Sequence, residues 1–215
     1  MTRWRRRPSG VFAGALALAA GFGLAIPAWV QAAIDVSALR ADWPKQVVHE
    51  LEVGRYPVRW RQFASRQDGI FGAVRFTAPL AQERVWSLTT DYTDVGGVTP
   101  GVRAVRYLAQ SPTAQVIEVD VRVLWKTLTL RFEVEQDPPR EMRFRLVHDR
   151  VGEYRGVCRL EPTPDGRSTI VELATWLQPS RPVPARLILL VERMTFLHAT
   201  RAFLDACDAQ ASSPP

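Results

Sequence analysis

Between residues 102 and 177 the chain is a series of short segments in which apolar and polar residues alternate, and this pattern constrains the fold most. In one segment, Ile117, Val119 and Val121 fall on one side and Glu118 falls on the other. A period of two is typical of a β-strand with one buried and one solvated face. Because turn signals rich in Pro, Gly and Asp separate the segments, we expect an antiparallel sheet of about six strands with one apolar face.

Other elements lie on both sides of this region. The pattern before it predicts a strand over residues 70–76 and a short helix over residues 81–90. After it, Pro182 and Pro184 introduce a long helix over residues 185–207, since proline suits the first helical turn. One stripe of this helix is expected to cover the apolar face of the sheet, and its residues are Leu187, Leu190, Val191, Met194, Leu197 and His198.

The segments on either side of residues 68–208 differ from this central part. Residues 33–67 are expected to be an N-terminal extension, in which apolar segments over 47–53 and 58–63 predict a hairpin. Residues 209–215, which include Ser and Pro, are expected to be a disordered tail. Residues 68–208 between them are long enough for one folded domain.

The first 32 residues have the features of an export signal. Four arginines within residues 3–7 precede an uncharged apolar run over residues 11–30, which Pro27 interrupts. The Val-Gln-Ala sequence that ends at Ala32 suits signal peptidase, so we expect cleavage there and a periplasmic or secreted mature protein. The alternative is an uncleaved helix that anchors the protein in a membrane, because the apolar run is just long enough to span a bilayer.

The charge of the mature chain is nearly balanced. The formal charge of the whole chain is +6, and removing the four arginines of the signal leaves 24 basic and 22 acidic residues, a charge of +2. This balance gives little electrostatic drive for binding a phosphate backbone, so we expect no nucleic-acid partner. On the polar side of the strands, Arg is mixed with Glu, which predicts a solvated surface with opposite charges paired between strands.

The two cysteines allow two interpretations. Cys158 falls on the apolar side of its strand, and Cys207 lies near the end of the long helix. An oxidising compartment permits a disulfide between them. The sequence does not give the Cα separation that a disulfide requires, so a bridge and two free thiols both stay open.

Two motifs place this order of elements in a family context. They are FTAPLAQERVWSLTTDY at residues 76–92 and PGV at residues 100–102, where the next strand begins. Together with the order of strands and helices, they resemble the START-like superfamily (SRPBCC), and within it the polyketide cyclase/dehydrase and coenzyme Q-binding branch. The resemblance spans residues 68–208. It implies an α+β helix-grip fold, in which a curved antiparallel sheet wraps around a long C-terminal helix.

The resemblance also implies an apolar cavity between sheet and helix, of the kind that holds sterols, phospholipids, quinones or polyketides. Such sites have apolar walls and a few polar groups, and Tyr154 and His198 are candidates for hydrogen bonds to a ligand head group. The alternative interpretation is that each candidate is an ordinary core or helix-surface residue without a role in binding. The candidate ligand-binding residues are Tyr92, Val98, Val121, Met142, Phe144, Tyr154, Leu173, Leu190, Met194 and His198.

The sequence lacks the common motifs of catalysis and metal binding. His49, His148 and His198 are far apart, and no His or Cys pair has the spacing of zinc ligands. A Gly-x-Ser-x-Gly elbow is absent, and no glycine-rich phosphate loop follows a strand. We therefore expect no metal and no cofactor, and we assign no catalytic residue.

Three functions stay open at this point. The first is an exported protein that binds a hydrophobic small molecule in the cavity, with transient membrane contact as a candidate interaction. The second is a cyclase/dehydrase-type enzyme in the same cavity, for which Tyr154, Thr175, His198 and Arg201 are the candidate polar groups. The third is a non-ligand interaction module that docks through residues 33–66. The sequence decides neither between binding and turnover nor the oligomeric state.

Overall fold

The computed structural model describes residues 49–64, 69–92, 101–123, 126–147 and 152–212. In these ranges the strands and helices follow the predicted order. They are β1 (His49–Val53), β2 (Tyr56–Ala64), β3 (Ile70–Ala78), α1 (Gln82–Thr90), β4 (Val102–Gln110), β5 (Ala114–Val123), β6 (Lys126–Asp137), β7 (Glu141–Val147), β8 (Gly152–Pro162), β9 (Thr169–Pro179) and α2 (Ala185–Ala211).

The strands form one antiparallel sheet in the order β1-β2-β3-β9-β8-β7-β6-β5-β4. Strands that follow each other in the chain are neighbours, except that β3 pairs with β9 and so joins the first three strands to the rest. The predicted N-terminal hairpin is present as β1 and β2, and it extends this same sheet. At its turn Gly54 has a φ of +64°, a backbone conformation that favours glycine. The curved sheet and long terminal helix confirm the α+β helix-grip architecture.

The inner face of the sheet and α2 enclose the main core. The backbone of α2 approaches β1, β2 and β3 most closely, while α1 lies against β8. Trp60 of β2 and Phe196 of α2 are among the largest fully buried side chains, and their ring centroids are 5.1 Å apart. One continuous apolar cluster connects this contact to the inner residues of β4 through β9. In the part of the chain that the structure describes, no helix is both long and apolar enough to cross a membrane.

The buried face of α2 is not the predicted one. Leu190 and Met194 of the predicted stripe are 56% and 63% exposed, and His198 is exposed as well. The prediction was wrong because it followed only apolar residues, whereas the buried stripe is interrupted by the polar Glu192 and Thr200. The residues of α2 that are buried are Ile188, Glu192, Phe196, Ala199, Thr200, Phe203, Leu204, Ala206 and Cys207.

The outer face of the sheet carries most of the charged side chains. As the alternation predicts, arginines pair with carboxylates of neighbouring strands: Arg106 of β4 lies 2.8 Å from Glu118 and 2.7 Å from Asp120 of β5. Exposed pairs of this kind each add little to stability. A small second cluster makes part of this face apolar, and it consists of Phe71, Ala73, Val157, Ala174 and Trp176.

The two faces of α2 should respond very differently to truncation. Phe196→Ala removes a ring that is 2% exposed and should lower the free energy of unfolding by about 3–5 kcal/mol, because it leaves a cavity against Trp60. Leu190→Ala, on the same helix but 56% exposed, should change it by no more than about 0.5 kcal/mol. Urea unfolding of both variants measures the difference, and a larger loss for Leu190→Ala would reverse the assignment of the buried face.

Candidate functional site

One row of paired residues crosses the inner face of the sheet. It runs from Gln62 of β2 through Gly72 of β3, Thr175 of β9 and Gly156 of β8 to Phe144 of β7, each residue paired with the next. Thr175, which is fully buried, therefore has a glycine on each side. Because glycine has no side chain, neither of these two residues places a side chain on the inner face beside the Thr175 hydroxyl.

Side chains from other positions cover both glycines. A Cβ at Gly72 would lie 2.8 Å from Oε1 of Glu192, and a Cβ at Gly156 would lie 2.3 Å from Cζ of Phe144. Both distances are shorter than ordinary van der Waals contacts. The absence of a side chain at residue 72 thus provides the space that the Glu192 carboxyl occupies.

Glu192 reaches this row from α2 and is 2% exposed. Nε2 of Gln62 donates to Oε2 of Glu192 at 2.8 Å, and Oγ1 of Thr175 donates to Oε1 at 3.0 Å. Nε2 of Gln62 also donates to the carbonyl oxygen of Leu189 at 2.8 Å, which holds the amide against the helix. Each carboxyl oxygen therefore accepts one hydrogen bond, and the two donors come from different strands.

The charge of this carboxyl has no cationic partner among the described residues. Burial in an apolar core disfavours the ionised form and raises the pKa of Glu192 to about 7, although the hydrogen bonds from Gln62 and Thr175 act in the opposite direction. Both protonation states are consequently accessible near neutral pH.

Tyr154 of β8 is 3% exposed and lies on the same inner face, two residues before Gly156 of this row. Its ring contacts the rings of Phe132 and Phe144, with centroid distances of 6.5 and 5.8 Å. The hydroxyl is near Thr175, but it makes no hydrogen bond of good geometry with a described residue. Burial, and then the charge of Glu192, raise the pKa of Tyr154, so the hydroxyl stays protonated.

Six of the ten predicted ligand-binding residues are buried on this inner side. At the end of α1, the hydroxyl of Tyr92 donates to Sδ of Met142 at 3.5 Å. Burial raises the pKa of this Tyr92 hydroxyl as well. The six share one apolar cluster with residues of α2, and they are Tyr92, Val121, Met142, Phe144, Tyr154 and Leu173.

The other four predicted residues are not in this cluster. Leu190, Met194 and His198 are exposed on the side of α2 that faces away from the buried row. Val98 lies outside the described residues. Arg201, a candidate polar group for catalysis, is also exposed. Of the polar side chains that the sequence analysis considered, the structure therefore brings only Tyr154 and Thr175 together.

Glu192 and Gln62 are functional candidates that the sequence analysis missed. Both had a signal in the spacing: Glu192 lies four residues from Ile188 and from Phe196, and Gln62 lies two residues after Trp60. A polar residue in a buried stripe is usually read as the end of the stripe. Here each polar group is satisfied by the other, so both fit on the buried face.

The cysteines and the acidic groups form no further site in the described ranges. Cys158 and Cys207 are free, buried thiols, so the disulfide that the sequence left open is not formed. Burial raises the pKa of Cys207 to about 12 and raises that of Cys158 as well. Among the described residues, no three His, Cys, Asp or Glu side chains are grouped so that they could hold a metal ion.

Comparison with known families gives the relationship of the chain. The model of the family described as polyketide cyclase/dehydrase and lipid transport matches residues 78–204, more than half of the chain. The chain belongs to this family. The matched part contains Tyr154, Thr175 and Glu192, whereas Gln62 and Gly72 lie before it. No curated protein matches the chain.

Solved structures share the fold at low sequence identity. The STAR-related lipid transfer protein of Xanthomonas axonopodis is 14% identical, with a TM-score of 0.58 over 75% of this chain and 98% of that one. A START superfamily protein of Mycobacterium smegmatis is 14% identical, with a TM-score of 0.56 over 65% and 98%. The Zhui aromatase/cyclase of a Streptomyces species is 18% identical, with a TM-score of 0.54 over 66% and 93%. These similarities confirm the predicted START-like fold.

Glu192 should make stability depend on pH with a definite sign. Its pKa is about 7 in the folded protein and 4.5 ordinarily, so between these values the folded state keeps a proton that the unfolded state has lost. The raised pKa therefore contributes fully to the free energy of unfolding below about pH 4.5. This contribution, about 3 kcal/mol in total, is lost as the pH rises to about 7. Urea unfolding across this pH range should show that the free energy of unfolding of the wild type falls relative to that of Glu192→Gln. Parallel curves for the two proteins would contradict a raised pKa.

Proposed function

We propose that this protein binds a hydrophobic small molecule between the inner face of the sheet and α2, and that the group around Glu192 receives its polar end. The observation that carries the proposal is a buried carboxyl beside a buried hydroxyl, both inside an otherwise apolar core. An apolar surface with a few converging polar groups is the usual composition of a small-molecule site.

The residues around this group have the properties that an apolar ligand requires. Phe132, Phe144, Met142 and Leu173 present aromatic, thioether and aliphatic surface on the inner face. Aromatic rings supply large apolar contact areas, and methionine adapts to irregular shapes. The family description joins lipid transport with polyketide cyclase/dehydrase, and both deal with largely apolar molecules. The chemistry of the described residues and the family therefore agree on the class of ligand.

A second candidate function is an enzyme of the cyclase/dehydrase type that uses the same site. The observation that favours it is the buried Glu192 carboxyl held by Gln62 and Thr175. Burial raises its pKa to about 7, and a carboxyl that titrates near the working pH suits proton transfer. Tyr154 and Thr175 would then orient the substrate, whereas His198 and Arg201 are exposed and not part of the buried group. Incubation of the bound molecule with the protein separates the two functions, because only an enzyme changes the mass of that molecule.

We also propose that the protein acts outside the cytoplasm. The support is the sequence of residues 1–32, with its arginines, apolar run and Ala32. A carrier of apolar molecules is useful in such a compartment, because these molecules cross water poorly without a protein around them. An uncleaved signal would keep the same domain attached to the membrane surface.

Expression of the full chain in a bacterial host tests binding and export together. The protein recovered from the periplasmic fraction should begin at Ala33 and should carry a noncovalently bound apolar molecule in native mass spectrometry. Solvent extraction should remove that molecule, and the extracted protein should then take up the neutral dye Nile red with a Kd in the micromolar range, about −8 kcal/mol of binding free energy.

A folded protein of similar size with a close-packed core is the control for nonspecific dye uptake. Folded protein that carries no apolar molecule and takes up no more dye than this control would contradict binding. Protein found only in the cytoplasm at full length would contradict export and leave the binding result unaffected.

A further inference from the structure

The buried group around Glu192 has unused hydrogen-bonding capacity. Each oxygen of the Glu192 carboxyl accepts one hydrogen bond, from Gln62 or from Thr175, and a carboxylate oxygen can accept two. Tyr154 is 3% exposed, and its hydroxyl donates no hydrogen bond of good geometry to a described residue. A buried hydroxyl without a partner, such as that of Tyr154, is costly in an apolar core, because it has lost its hydrogen bonds to water. The Glu192 oxygens are paired, and each can still accept one further hydrogen bond.

The charges near Glu192 restrict which ligand group could bind there. The elements packed on Glu192 present Gln62 from β2, Gly72 from β3, Thr175 from β9 and Tyr154 from β8, and none of these is a cation. The arginines of the same strands lie on the outer face of the sheet. A ligand with a carboxylate or phosphate at this point would therefore meet a buried negative charge with no positive group to offset it.

We propose that Glu192 and Tyr154 together recognise one neutral hydroxyl group of an otherwise apolar ligand. The proposal rests on the proposed binding function and specifies its ligand class. A hydroxyl oxygen accepts the hydrogen bond from Tyr154, and its own proton is donated to the Glu192 carboxyl. One ligand oxygen and its hydrogen thus pair with the Tyr154 proton and with a remaining acceptor position of the Glu192 carboxyl.

Other head groups satisfy the pair less well. A carboxylate has no proton to donate and is repelled by Glu192. An ammonium is attracted to the charge of Glu192, but it has three donors and no acceptor, so it leaves the Tyr154 proton unpaired and also loses its own hydration. An alkane forms neither hydrogen bond. The order of affinity should therefore be alcohol, then amine and alkane, with the carboxylate weakest.

The test measures displacement of Nile red from extracted, full-length protein by two matched series of compounds. One series is decanol, decylamine, decanoate and decane, and the other is naphthol, naphthylmethylamine, naphthoate and naphthalene, so that a linear and a ring-shaped ligand are both represented and both amines are protonated. In at least one series the wild type should bind the alcohol about tenfold or more tightly than the hydrocarbon, since a hydrogen bond to a charged group contributes that much.

Single-group variants show whether this preference comes from the proposed pair. Tyr154→Phe and Glu192→Gln should each reduce the alcohol-to-hydrocarbon ratio about three- to tenfold while hydrocarbon affinity stays within about twofold. Tyr56→Phe is the matched control, because the Tyr56 hydroxyl bonds to Asp208 outside the group, and it should leave the ratio unchanged.

The outcomes separate this proposal from the binding function itself. If the wild type binds alcohol and hydrocarbon equally, or prefers the amine or the carboxylate, the hydroxyl assignment fails and hydrophobic binding stands. If the variants weaken all members of a series by the same factor, the pair has a structural role only and the assignment also fails. If no compound displaces the dye and the protein carries no ligand, the proposed function fails with it.

Discussion

Two hydrogen bonds to the Glu192 carboxyl connect the middle of α2 to β2 and β9, and they form where apolar packing alone would place no charge. The contact depends on Gly72, because any side chain there would occupy the position of the carboxyl. It depends equally on Gln62 and Thr175, since an unpaired buried carboxylate would be strongly destabilising. The rotation of α2 about its axis follows from this contact: with Glu192 turned inward, Phe196 meets Trp60 and the leucines on the other side face solvent.

Much of the fold follows from the sequence because the relevant signals are local. Alternation over β5 and β6 gives the strands, and the motifs at residues 76–92 and 100–102 connect them to a family whose fold is shared by the solved structures. The pairing of β3 with β9 joins strands that are far apart in the chain, and no local pattern specifies it.

The site was harder to predict because it depends on long-range pairs of polar residues. Tyr154 and Thr175 could be placed on the inner face by alternation alone. Glu192 could not be placed on the buried face from the sequence. Its burial is explained only by Gln62 and Gly72, which lie opposite it and are more than one hundred positions away in the chain. The apolar residues alone therefore predicted the neighbouring stripe of α2, which contains Leu190 and Met194. Both residues are exposed in the structure.

A double-mutant cycle between Glu192 and Thr175 tests the central contact most directly. At about pH 8, where most of the carboxyl is ionised, Thr175→Val should lower the free energy of unfolding by about 1–3 kcal/mol in the wild type, because it removes a hydrogen bond to a buried charge. The same change in a Glu192→Leu background should cost close to nothing, so the coupling energy should be about 1 kcal/mol or more. Equal costs of Thr175→Val in both backgrounds would show that the two residues do not interact and would contradict the account.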